Sequence, residues 1–221
     1  MRCFKIKHAV CLLGIAGLML GIGCKKDSGY YDFKNEAQVF NGSTYEYLQS
    51  KKGMFDSLLK VLDITPLGDS LKKGNNTLFA PTDLCFKAMM ENLNAIRQVQ
   101  GKEALHLGTV DRDELDSLLE KYIIRGVIPS DSMTYADGLM IYSMQTGYPM
   151  HGKQRATDAT GYVGGGPHYI NFSDTKRTQY IISWVTTVTS SINLKTKNGV
   201  VHVLKDDHVI GFNEFMTRLN N

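Results

Sequence analysis

The chain has 221 residues, 43% of them hydrophobic and 21% charged. That length suits one domain burying roughly 70% of the surface its unfolded form exposes. Lys and Arg number 25 against 22 Asp and Glu, and setting aside Arg2, Lys5 and Lys7 leaves 22 against 22. This balance lacks the basic surplus of a nucleic-acid binder, so no nucleic-acid partner is expected.

Those three cations open the chain, and an uncharged apolar run over 9–23 follows. The run is short for a bilayer-crossing helix, which needs about 20 apolar residues. A basic start, an apolar centre and a small-residue end read as a signal peptide over 1–23, with a short membrane anchor as the alternative. Leu20-Gly21-Ile22-Gly23-Cys24 resembles a bacterial lipobox, although Leu20 stands one place early and Gly21 holds its usual position. The resemblance implies acylation of Cys24, and multiple acyl chains anchor stably where one is marginal. Residues 24–41 then form the lipidated cysteine and a tether. Lys25-Lys26-Asp27-Ser28-Gly29 resembles the charged signals that route some lipoproteins to the outer face of the cell, or is a plain solvated linker.

Of the four cysteines, Cys3 and Cys11 leave with the signal peptide and Cys24 is acylated, so Cys85 stands alone. The domain over 42–221 must therefore rest on its own core without disulfides. Residues 45–62 follow a helical period, with Phe55, Leu58, Leu59 and Leu62 on one face and Gly53 dividing the stretch. Asn76 to Ala80 reads as a strand. Thr82 or Asp83 can cap the helix that follows, whose stripe is Phe86, Met89, Met90 and Leu93. A polar loop spans 98–108. Asp111 and Glu114 have capping-box spacing before Leu115, Leu118, Leu119 and Tyr122. Beyond Gly126 the period changes to that of strands over 139–144, 168–172 and 178–189. Asn198-Gly199 suits a type I′ turn joining 192–196 to 200–204. A short helix over 213–219 ends the chain. Helices first and strands later indicate an α+β class.

Two segments carry a family resemblance. Thr77-Leu78-Phe79-Ala80-Pro81-Thr82-Asp83-Leu84-Cys85-Phe86 resembles the first signature of fasciclin-type adhesion domains. Asn198-Gly199-Val200-Val201-His202-Val203-Leu204 resembles the second. The resemblance implies a wedge-shaped β-sandwich flanked by helices, with Phe79, Pro81, Thr82, Phe86, Tyr122, Asn198, Gly199 and His202 as structural motif positions. It implies adhesion or recognition of an extracellular protein or glycan, with no enzymatic chemistry. Ile123 stands where the family has a histidine after Tyr122, so integrin binding is not carried over.

Two stretches, 91–110 and 147–167, look longer than in an ordinary member, and insertions concentrate function at the surface. The second supplies the candidate ligand-binding residues Tyr148, His151, Arg155, Tyr162, His168 and Tyr169; a solvated loop is the alternative. Its Gly164-Gly165-Gly166 is followed by Pro167-His168-Tyr169, not the Gly-Lys-Ser/Thr of a phosphate loop. No local signature for catalysis, a metal or a cofactor is present, and none is expected. The reading is thus a lipid-anchored binding module outside the cell. The alternatives are an accessory lipoprotein of a nutrient-uptake or envelope assembly, with a protein partner, and a polysaccharide-acting hydrolase.

Overall fold

The computed structural model describes residues 38–159 and 161–220. The signal-peptide, Cys24 and Lys25–Gly29 expectations lie outside the described residues. No helix among the described residues is long and apolar enough to cross a membrane.

Among the described residues three short helices come first: α1 (Thr44–Ser50), α2 (Asp56–Ile64) and α3 (Leu67–Lys73). Helix α1 starts on a reciprocal cap, in which the Ser43 side chain accepts from Glu46 N–H and Glu46 accepts from Ser43 N–H. The break after α1 falls at Gly53, whose φ of 77° favours glycine. Strand β1 (Asn76–Ala80) leads into the long helix α4 (Asp83–Val99), and α5 (Arg112–Leu119) follows a loop. The first supposed insertion thus begins as helix, since α4 continues to Val99, and only the rest of it is loop.

Asp83 does not cap its own helix. Its carboxylate accepts from Ser57 N–H at 2.6 Å and Asp56 N–H at 3.1 Å, capping α2. Phe55 holds the cap position there and has no side-chain oxygen to offer. Thr82, at the α4 cap position, donates instead to Asp206 at 2.7 Å. Asp111 caps α5 as its spacing predicts, accepting from the N–H groups of Asp113 and Glu114.

The remaining strands are β2 (Ile123–Arg125), β3 (Leu139–Tyr142), β4 (Pro149–Ala156), β5 (His168–Asp174), β6 (Val185–Thr196) and β7 (Gly199–Leu204), before helix α6 (Phe215–Leu219). They form one seven-stranded mixed sheet in the order β2-β1-β7-β6-β5-β4-β3. Only β1 and β7 run parallel; the other neighbours are antiparallel. The outermost strands meet, because Ile124 bridges Ser143 and Met144 N–H donates to Ile123 O at 2.8 Å. The sheet therefore curls nearly into a barrel. Every residue of β1 and β7 is buried, so the polar Asn76, Thr77 and His202 must be hydrogen-bonded inside the protein.

Two strand expectations need correction. The run at 178–189 is not all strand: 178–184 is a loop with one 3₁₀ turn at Ile181–Ser183, and β6 begins at Val185 and absorbs 192–196. Lys176 and Arg177 take positive φ of 51° and 54°, turning the chain away from the sheet before the β-branched residues can pair. The stretch 147–167 is only in part a loop, since 149–156 are β4, paired on both sides, and the β4–β5 connection follows.

The Asn198-Gly199 corner also differs from the expectation. Neither Lys197 nor Asn198, the two loop residues of this hairpin, has the positive φ of a type I′ turn. Asn198 acts as a brace instead. Its side chain accepts from Thr44 N–H at 2.8 Å and donates to Leu71 O at 2.9 Å and Gly74 O at 3.2 Å. Gly199 is required for close approach, since a Cβ there would run into the Asn76 carbonyl and lie 2.9 Å from Thr44 Oγ1. Gly199→Ala is expected to cost about 1–3 kcal/mol by overpacking, read as a lowered urea midpoint.

Candidate ligand-binding cleft

Strand alternation builds the site. Along β4, Met150 and Gly152 face the core, so His151, Lys153 and Arg155 project to the outer face. The register aligns Met140, His151, Ser173 and Thr186 in one row across β3 to β6. Lys153, Asn171 and Val188 make the next row, and Arg155 and Tyr169 a third. The 178–184 loop rises beside this face and brings Thr178, Ile181 and Trp184 over it; Asp137 and Gly138 stand opposite. The result is a cleft of about 640 Å³, within the usual 300–1,000 Å³ of small-molecule sites.

Internal bonds hold the cleft in shape. Trp184 Nε1 donates to Thr178 O at 2.9 Å, and the His151 and Trp184 ring centroids lie 4.8 Å apart. His151 Nε2–H donates to the Asp137 carbonyl at 2.6 Å. Ser173 and Thr186 hydroxyls bond each other at 2.8 Å. Lys153 donates to the Ala136 carbonyl. Arg155 and the Asn171 amide have no side-chain partner among the described residues and remain available to a ligand.

The six candidate residues do not converge. His151 and Arg155 line the cleft, and Tyr169 continues the same face beside Arg155. His168 lies at the exposed start of β5, where Nδ1 bonds Gln154 at 2.9 Å. Tyr162 sits in the β4–β5 hairpin loop, against Gly165. Tyr148 is half-buried, and its hydroxyl donates to Asp174 at 2.9 Å. Lys153, Asn171, Ser173, Ile181 and Trp184 were missed. The alternation His151-x-Lys153-x-Arg155 was the available signal for the cations. The wall residues carried none, because their stretch has strand composition.

Both signature segments lie where their order predicts, with Phe79 and His202 opposite each other across the parallel β1–β7 pair. A family model for the fasciclin domain matches residues 53–210. The chain belongs to the fasciclin domain family. Among solved structures, the FAS1 domain pair from the insect cell adhesion molecule fasciclin I is similar, with a TM-score of 0.51 and 11% identity. The match covers 74% of this chain and 49% of that one, so this chain spans about half its length. Comparison with curated proteins finds no match.

The motif residues of this fasciclin domain are buried, except for the half-buried Asn198. Phe79 stacks on Phe172 with centroids 3.8 Å apart. Tyr122 stacks on Phe212; its hydroxyl lies 2.6 Å from His208 Nε2 and accepts from Gly211 N–H at 2.8 Å. Ile123, in the place of the family histidine, is 1% exposed. Cys85 is buried too, and burial pushes its thiol pKa up. His202 is fully buried; Nδ1 accepts from Asn193 N–H and Nε2–H donates to Ile128 O, both at 3.2 Å. Burial pushes His202 down to about 4 and His208 to about 3, so both imidazoles are neutral.

The unfolded chain takes up protons near 6.5 that these folded histidines refuse. Stability is therefore expected to fall as pH drops from 6.5 towards about 4 for His202 and about 3 for His208. A urea midpoint lower at about pH 5 than at about pH 7 checks the sign, because carboxylates titrate mainly below that window.

An ion network invisible in the sequence lies beneath the fold. Lys121 and Asp174, 2% and 0% exposed at their side chains, pair at 2.8 Å. Glu214 bonds Lys121 at 3.0 Å and Lys176 at 2.6 Å. Burial alone would raise the Asp174 carboxyl, but bonds and charge from Lys121 and Lys176 outweigh it and hold the group below its usual range. No group of three or more His, Cys, Asp or Glu able to hold a metal occurs among the described residues.

Proposed function

We propose that this fasciclin domain is a binding module that is exported, held at the outer membrane or cell surface by acylated Cys24, and engages an extracellular glycan or protein through the cleft between 178–184 and β3. One observation carries the reading: a preformed cleft whose Arg155 and Asn171 side chains have no partner among the described residues while the groups around them are fixed. The family adds support, since fasciclin domains are generally adhesion or binding modules. A hydrolytic reading would call for paired carboxylates across a scissile bond. Asp137 is the single carboxylate among the lining residues.

Loss of ligand retention in Trp184→Ala, with an unchanged melting temperature, tests the site. Capture of surface glycans and proteins by the full chain, compared between wild type and variant, is the readout. Equal capture by both would move the site elsewhere. Cys24→Ser is expected to shift the protein from the membrane fraction to the soluble one, and a variant still in the membrane would point to an uncleaved helix.

A protein partner, as in an uptake or envelope assembly, is the second reading. Tyr180, Ile181 and Ile182 favour it, because they stand 76%, 72% and 97% exposed at the tip of the same loop.

A further inference from the structure

We propose that the cleft takes an acidic oligosaccharide, with sugar carboxylates on Lys153 and Arg155 and a pyranose face against Trp184. The inference rests on the binding-module reading and names the ligand class of that site.

The arrangement is linear. Trp184 packs beside His151, and Lys153 and Arg155 follow on the same face of β4. Same-face residues on a strand stand about 7 Å apart, so two cations lie in line beyond the indole. Asn171 stands directly across from Lys153 and Tyr169 across from Arg155. The track thus begins and ends on an aromatic ring, with charge and a free amide between. A single small anion would use one step of it; a polymer with an anion on successive units uses several.

The charge is unspent. Lys153 donates to a backbone carbonyl and Arg155 has no side-chain partner among the described residues. Asp137 is the only acid among the lining residues and forms no ion pair with either cation. A carboxylate meets the guanidinium with two parallel hydrogen bonds, a geometry Lys cannot copy.

Neutral chemistry selects sugar over acidic peptide. The floor offers the Asn171 amide and the Ser173 and Thr186 hydroxyls, which suit ring hydroxyls. An extended peptide gains much of its affinity by adding a strand to a free sheet edge. Here the edge strand beside the cleft, β3, is joined to β2 through the Ile124–Ser143 bridge.

Trp184 is the only tryptophan in the chain, so its emission reports on this site alone. The full chain in detergent would be titrated with a hexamer of galacturonic acid, its carboxyl-reduced neutral counterpart and hexaglutamate. The acidic hexamer is expected to change Trp184 emission saturably. The reduced hexamer should bind at least about tenfold more weakly, and Lys153→Gln and Arg155→Gln should each weaken the acidic hexamer about tenfold with unchanged melting temperature. Raised salt should weaken the acidic hexamer selectively. Equal binding of the reduced hexamer would overturn the acidic class while leaving the binding-module reading intact. Equal or tighter binding of hexaglutamate would overturn the saccharide class. No response to any saccharide would overturn the inference outright, and the capture experiment would then decide the broader reading separately.

Discussion

Asp174→Ala is expected to destabilise the domain by about 3–5 kcal/mol, among the largest effects of any single change. Four donors converge on this fully buried carboxylate: Lys121 at 2.8 Å, the Lys176 ammonium at 3.0 Å, Lys176 N–H at 2.8 Å and the Tyr148 hydroxyl at 2.9 Å. Removing it strands the Lys121 ammonium, which is 2% exposed and retains only Glu214 as a counter-charge. A buried charge that loses its partner costs far more than the pair gained. Lys176→Ala is the contrast. Its side chain is 25% exposed, so its ion pairs are partly screened and its loss should cost about 1 kcal/mol. Urea unfolding of both variants at neutral pH provides the comparison. Similar midpoints would mean that solvent reaches the Lys121–Asp174 pair.

Phe79→Ala is the second large effect, again about 3–5 kcal/mol. The ring is fully buried between the two halves of the curled sheet, stacked on Phe172 with 2° between the planes. It also meets the His202 ring at 5.0 Å. Truncation leaves a cavity walled by backbone strands on both sides, which have little freedom to collapse. Phe79→Leu keeps most of the volume and should cost about half as much. Thermal unfolding of the two variants checks the order; equal losses would assign the cost to the stacked geometry and not to the void.

The local elements were legible where one residue type decides the backbone. Gly53 divides the first helices, Asp111 caps α5, and the apolar run 76–80 is a strand, all as read from the sequence. Failures arose where the deciding partner is distant. Asp83 looks like the cap of the helix it opens, yet the vacant N–H groups it satisfies belong to α2, 26 and 27 residues earlier. Gly199 looks like a turn glycine, but its demand comes from Asn76 and Thr44 pressing on it. The 178–184 segment has strand composition without a strand partner, because the positive φ angles at Lys176 and Arg177 re-aim it.

The cleft was half legible for the same reason. The sequence offers His151 and Arg155 as candidate contacts, and alternation along β4 places them on one face. Which strands flank β4, and hence that Asn171 and Trp184 join them, depends on pairing that no local pattern encodes. The Lys121–Asp174–Glu214 cluster spans 93 residues of chain and leaves no local trace at all.

The Asn198 brace has a consequence for how the molecule assembles. It closes the start of α1 across 154 residues, and β1 lies beside a strand made more than a hundred residues later. Contacts this remote in sequence slow the search for the native state. The Asn198 bonds to Thr44, Leu71 and Gly74 therefore form only once residues 198–204 have arrived. A chain halted before Asn198 is expected to lack both the brace and the central strand, and to gain its full stability only when β7 is in place.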